Sequence, residues 1–379
     1  MTLFQPRFAA IIGALAAVVA ATAAGAQTDA TTTASNTTAS GDKAAKQPKK
    51  GAKKEAAREK ALSTFFDSEQ PLELTFTANF KRLRGDKGTN PPWRSATLSY
   101  TGPDGNPVVI PTQAKTRGIW RLKHCDIPPI RLNLSRDKTK GTVFYAVDRP
   151  KLVSLCHDNK DYEQYVLQEM QLYRVYNLLT PISHRARLLK MTYADSATGK
   201  PVTTRYAFLL DEPQVLAARI GGALMKEKGA KGDDLDPFQD ALFGMFEYFI
   251  SNTDVSVNGL HNAEIIALSS TGAYVPVPFD FDFSGAVNTQ YATVDPSVGT
   301  TRVRERIFRG YCVPQTEFGK VFTLFNEKKD AIYALYHDDI GKLLEPDIVK
   351  ETLKFYDEFY QTINDSRSAK REIFEVCRH

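Results

Sequence analysis

The first strong pattern along the chain is alternation. Leu72, Leu74, Phe76 and Ala78 alternate with polar neighbours, which predicts a half-buried strand. Residues 96–100 and 108–110 flank the turn-forming run Gly102-Pro103-Asp104-Gly105-Asn106 and predict a hairpin. Further strands are predicted at 130–134, 142–147 and 151–155. The period then changes. Between Asp161 and Leu179, residues Tyr162, Tyr165, Val166, Leu172, Tyr173, Tyr176 and Leu179 fall on one helical face. Glu169 lies in the middle of that face, where a carboxylate needs a partner. It either pairs with a base of the neighbouring sheet (Lys115, Arg117, Lys123, Arg131 or Lys151) or bends out to water. Two more strands, 187–193 and 204–210, lead into Asp211-Glu212-Pro213. Beyond them 238–250 is apolar nearly all round and predicts a buried helix. Short strands at 263–268 and 274–279 follow, then helices at 321–335 and 348–363. The order is a sheet with one helix, a connector, then mostly helices.

The N-terminal residues do not belong to this pattern. Arg7 precedes an apolar stretch over 9–24 that ends at Ala24-Gly25-Ala26, so a secretory leader over 1–26 with cleavage before Gln27 is expected. The stretch of about 16 residues is shorter than the roughly 20 that a spanning helix needs. No later run is long and charge-free enough to span, so no membrane span is expected after cleavage, and the location is periplasmic or secreted. Residues 27–60 are Thr-, Ala- and Ser-rich and then Lys-rich, a composition that predicts a disordered basic linker. The linker is either a solvated spacer or a clamp for an acidic envelope surface or nucleic acid.

Charge sharpens the division. Of 49 Lys and Arg, one lies in the leader and eight in the linker; of 44 Asp and Glu, four lie in the linker, so forty of each sign remain. Residues 61–379 are therefore neutral, and nucleic acid is not an expected partner. The four cysteines, Cys125, Cys156, Cys312 and Cys377, are an even count in an exported chain and favour two disulfides over metal ligands or free thiols. Of three connectivities, neighbourhood favours 125–156 and 312–377. Arg302, Arg304, Arg306 and Arg309 are either an anion-holding face, if extended, or a solvated face, if helical.

The candidate chemistry lies between the buried helix and the last strands. The segment from Ser251 to Asn262 is polar and contains Asn252-Thr253-Asp254 and His261-Asn262; Pro278-Phe279-Asp280-Phe281-Asp282-Phe283-Ser284-Gly285 closes the following strand. In an extended chain Asp280 and Asp282 share one face and the phenylalanines the other. Two carboxylates with an Asn oxygen suit Mg2+ or Mn2+, and Asp254 is placed to accept a hydroxyl proton. The competing reading is a set of Asp and Asn side chains capping turns.

This helix, Asn-x-Asp loop, His-Asn and Pro-aromatic-Asp-x-Asp order resembles the spore coat protein H (CotH) kinases, and Asn-Thr-Asp also resembles the HipA-like toxin kinases. The likeness spans roughly 112–284 and is motif-specific over 252–284. It implies an α+β, two-lobed protein-kinase-like fold, with a strand-rich N-lobe with one helix over 61–211 and a mostly helical C-lobe over 212–379. It implies ATP with Mg2+ or Mn2+, Asp254 as catalytic base, and Asn262, Asp280 and Asp282 as metal ligands. Glu169 would pair with a nucleotide-binding lysine, for which Lys151 is the first choice, and Leu209 to Glu212 would line the adenine. The implied activity is phosphoryl transfer to a protein or small-molecule hydroxyl. An inactive envelope scaffold and a metal-dependent hydrolase are the other readings. No Walker loop, Gly-x-Ser-x-Gly elbow or His-Glu-x-x-His is present.

Overall fold

Leu74, Phe76 and Ala78 point inward from β1 (Leu72–Ala78), as their alternation requires, and β1 has two neighbours. It pairs antiparallel with β2 (Arg94–Thr101) and parallel with β6 (Ala186–Asp195), from Leu72 opposite Leu189 to Ala78 opposite Asp195. With β3 (Pro107–Thr116), β4 (Ile130–Asn133), β5 (Lys151–Val153) and β7 (Lys200–Leu210), these strands close a barrel in the order β1-β2-β3-β4-β5-β7-β6. A computed structural model of the chain describes residues 47–118 and 120–379. The leader and the first part of the linker lie outside the described residues.

The closed barrel overturns the expected two-lobed kinase-like architecture. The part after residue 211 is not simply helical either, since β8 (Gly222–Leu224), β9 (Ala263–Leu268) and β10 (Tyr274–Pro278) form a second sheet in the order β10-β9-β8. The class is α+β. Alternation marks strands but not their partners, and the parallel β1–β6 pairing that closes the barrel joins segments more than a hundred residues apart. Closure leaves the seven-stranded sheet without a free edge.

Ten α-helices complete the described fold: α1 (Gln47–Phe66), α2 (Phe80–Gly85), α3 (Trp120–His124), α4 (Arg136–Thr139), α5 (Lys160–Leu179), α6 (Pro213–Arg219), α7 (Pro237–Ile250), α8 (Gln315–Ala334), α9 (Pro346–Asn364) and α10 (Ser366–Ala369). Helix α1 corrects the expected linker, because residues 47–60 are helical rather than disordered. Ala, Lys, Glu and Arg are strong helix formers, and the anchors that dock this helix, Leu62, Phe65 and Phe66, lie just past the Lys-rich run. Residues 50–379 form one compact unit.

Helix α7 carries Phe246, Phe249 and Ile250 fully buried, and α9 packs Tyr356 and Phe359 onto Phe249 at centroid distances of 4.2 and 4.9 Å. Both expected disulfides, Cys125–Cys156 and Cys312–Cys377, are formed. Residues 142–147, expected as a strand, form turns instead. Tyr145 N–H bonds to Thr142 O, and Ala146 takes φ +77°, which no strand accommodates. The arginine series does not form one face: Arg302 is solvated and pairs with Glu305, whereas the later members turn inward. Arg306 stacks 3.6 Å from the Phe355 ring centroid and donates to the Phe249 and Phe355 carbonyls, while Arg309 donates to Thr253 O. Among the described residues no helix is long and apolar enough to cross a membrane.

Candidate functional site

Glu169 and Tyr173 stand one turn apart on the inner face of α5. The Tyr173 hydroxyl accepts the Asp280 N–H at 2.9 Å, which pins the segment after β10 beside Glu169. Phe281 is fully buried and packs on Tyr173 and on Phe246 of α7, with ring centroids 4.6 and 5.5 Å away. One anchored ring therefore fixes the two aspartates that flank it.

Asp280 has φ +67°, a conformation that Asp tolerates better than most residues. The extended alternation expected for Asp280 and Asp282 is thus corrected: the strand stops at Pro278 and the chain turns at Asp282. Asp282 is nearly buried, and its Oδ2 accepts the Tyr291 hydroxyl at 3.0 Å. Burial, and then Asp280, push its carboxyl up to about 6. Glu169 is 2% exposed, so the option of bending to water does not apply. Its Oε1 is buried with no hydrogen-bond partner. Burial raises this carboxyl well above the usual carboxylate range, and Asp282 and Asp280 raise it further against Arg121 and Arg117. Three acids therefore share one pocket of charge with too little compensation.

Sequence reasoning missed Arg121, Tyr291 and Tyr173. The half-buried Arg121 lies in the field of Asp282, Glu169 and Asp280, and its guanidinium donates to Ser154 O. A signal for it existed. It precedes Cys125 by one helical turn, and the disulfide brings that turn to Cys156, two residues after Ser154. Tyr291 sits in an aromatic group over Asp282, stacked 5.0 Å from Trp120 and 5.6 Å edge-on to Phe283. Tyr291→Phe should cost about 1 kcal/mol of stability, the worth of one hydrogen bond, and should raise the Asp282 titration above about 6 because the phenol stabilises the carboxylate. Urea unfolding and a carbon-13 titration of Asp282 would measure both; an unchanged titration would remove Tyr291 from the site.

Asp254 lies in the loop after α7, where Ser251 takes φ +54° to end the helix. The buried Asn252 accepts the Asp254 N–H at 3.1 Å. His261 Nε2 lies 2.8 Å from Asp254 Oδ1, and Asn262 Nδ2 donates to Asp254 Oδ2 at 3.0 Å and to its carbonyl at 2.8 Å. Asp254 and Asn262 are therefore in direct contact, and Asp254 is near enough to act on Asp282. Asn262 spends its N–H on Asp254, which leaves its amide oxygen as an acceptor.

Lys151 is not the partner of Glu169. Its Nζ lies 3.7 Å from the Phe279 ring centroid, one residue before Asp280. Burial draws its ammonium down to about 8, with Glu264 and Asp280 opposing the shift and Arg117 and Arg131 adding to it. Lys115, Arg131 and Lys151 lie in register across β3, β4 and β5, so one row of bases crosses the barrel wall. Glu212 stands apart from the acids, with Oε1 accepting the Arg149 N–H at 2.7 Å.

The donor set is all oxygen, with one buried carboxylate atom left unpartnered, and this fits a hard divalent cation. Among the described residues no three His, Cys, Asp or Glu side chains are grouped to hold a metal by themselves. Such an ion would take one or two carboxylates and complete its shell with water and phosphate oxygens, as Mg2+ usually does. No protein-family model matches the chain, and no curated protein matches it either.

Proposed function

We propose that the chain is an exported, metal-dependent phosphotransferase that moves a phosphoryl group from ATP to the hydroxyl of a protein or small molecule. The observation that carries the reading is the buried, unpartnered Glu169 Oε1 beside Asp280 and Asp282, with Arg121, Arg117 and Lys151 around them. Acids that need a cation and bases that need an anion are what a metal–phosphate ligand supplies together. The motif likeness to the CotH kinases over 252–284 is a second support. The two disulfides suit an oxidising compartment, as does the leader expected over 1–26.

In this reading Asp280 and Asp282 hold Mg2+ or Mn2+ with the Asn262 amide oxygen, and Glu169 orients them from α5. When bound, the ion neutralises charge on the transferred phosphate. Lys151 and Arg121 would bind phosphate oxygens. Asp254, held by His261 and Asn262, accepts the proton as the acceptor oxygen forms its bond to the γ-phosphorus and the bond to the leaving ADP oxygen breaks.

A second reading is an envelope scaffold without turnover. The engagement of both Asp254 oxygens by His261 and Asn262 favours it. The mature protein incubated with γ-labelled ATP and Mn2+ separates the two. Phosphotransfer predicts label on the protein or on a supplied hydroxyl acceptor, dependent on Mn2+. Binding of ATP and Mn2+ with no label transferred supports the scaffold.

A further inference from the structure

Helix α1 does not lie flush on the barrel. Between it, the turn after α4 and the start of β6 is a cavity of about 730 Å3, inside the range of roughly 300–1,000 Å3 common to small-molecule sites. No residue of it belongs to the carboxylate site. Its walls are apolar, with Phe65 from the helix and Val143 and Tyr145 from the turn. Val143 and Tyr145 are 38% and 41% exposed and turn apolar surface toward the cavity.

Its charged groups are all of one sign, beside the neutral Thr64, Ser68 and Thr142. Lys60, Lys140 and Arg187 line the cavity, and among the described residues no carboxylate does. Arg187 is 8% exposed, donates one bond to Ser68 O, and keeps a buried Nε with no hydrogen-bond partner. Among the described residues it makes no ion pair, whereas the neighbouring Arg185 pairs with both Asp211 and Glu59. A buried guanidinium without a counter-charge is costly, and its position at the base of an apolar chamber gives that cost a use.

We propose that this cavity binds an amphipathic anion, an aliphatic carboxylate whose head meets Arg187 between Lys60 and Lys140 and whose chain lies along Phe65, Val143 and Tyr145. The guanidinium fork matches a carboxylate in two-pronged geometry. Apolar walls supply the chain's burial. A neutral alcohol of the same length would lose the head contact, and a cationic amine would be repelled.

The test is calorimetric titration of the mature protein with decanoate, decanol and decylamine, repeated in three variants. Decanoate should saturate a single site, decanol should bind about tenfold or more weakly, the loss expected for one charge-assisted contact, and decylamine should give no saturable heat. Arg187→Gln should weaken decanoate by a similar factor. Because Arg187 also holds Ser68, two further variants keep the test independent of its folding. Val143→Trp fills the chamber from its open side and should abolish binding, and Lys140→Glu on the rim should weaken it about tenfold. Equal affinity for decanoate and decanol, undiminished binding in Val143→Trp, or no saturable decanoate heat would each overturn the proposal.

Discussion

Asp280→Asn should abolish the rise in melting temperature expected of the wild type with Mn2+ or Mg2+ and ATP, and should lower the proposed phosphoryl transfer by about a thousandfold or more. A lost ion contact of several kcal/mol at the transition state corresponds to that factor. The fold should survive, because the Asp280 contact to Tyr173 runs through its backbone N–H, which Asn keeps. Asn also tolerates the φ of +67° at this position. Without metal the variant should be more stable than the wild type, since one of three mutually repelling carboxylates is gone. The sign of the pH dependence follows. Asp282 titrates at about 6 in the fold against an ordinary 3.8. The stability it contributes is therefore full below about pH 4 and is lost as pH rises through 6. Asp280→Asn should flatten that decline in metal-free protein, as thermal melts from pH 4 to 7 would record. A variant that still responds to Mn2+ and ATP removes Asp280 from the site.

His184→Ala should cost about 3–5 kcal/mol, the penalty for stripping one partner from a buried ion pair. His184 is 2% exposed; its Nδ1 lies 2.8 Å from Asp211 and its Nε2 lies 3.0 Å from Glu264. Asp211 follows β7 of the barrel and Glu264 lies on β9, so one imidazolium joins the two sheets. Burial works against its charge, but Glu264 and Asp211 outweigh burial and raise it to about 9 from 6.5. Its contribution is full below about pH 6.5 and is lost as pH rises through 9. The variant should show no such alkaline loss. Urea unfolding at pH 6 and pH 9 measures both effects, and a cost below about 1 kcal/mol at pH 6 would mean that the two carboxylates are not held by this histidine.

What the sequence revealed depended on whether the deciding contact was local. The hairpin of β2 and β3, the long helix α5, the buried helix α7 and the strand 263–268 all rest on periodicity within one segment, and each is found. The disulfides followed from neighbourhood along the chain. Barrel closure rests on the β1–β6 pairing across the length of the first half, which no periodicity encodes. The run 142–147 carries β-branched and aromatic residues, yet only Phe144, Ala146 and Val147 turn inward, while Val143 and Tyr145 wall a cavity. At the candidate site, the residue types at 254, 262, 280 and 282 were legible because polar residues stand out in apolar surroundings. Their geometry was not. A single left-handed residue, Asp280, changed the alternation, and of the two cations acting on Glu169, Arg117 was among the sequence candidates while Arg121 came from a five-residue helix positioned by a disulfide. The His184 link was missed because its two acids lie 27 and 80 residues away in sequence.

Asp280 and Asp282, oriented by Glu169, are proposed to hold one cation whose shell phosphate completes. Electron paramagnetic resonance of Mn2+ counts free ions directly, and a titration of the mature protein with and without ATP addresses the claim. One bound Mn2+ per chain is expected, with affinity raised by ATP beyond that of ATP alone, and that site should be lost in Glu169→Gln and Asp280→Asn. Mn2+ binding that is the same in the wild type and both variants would contradict it.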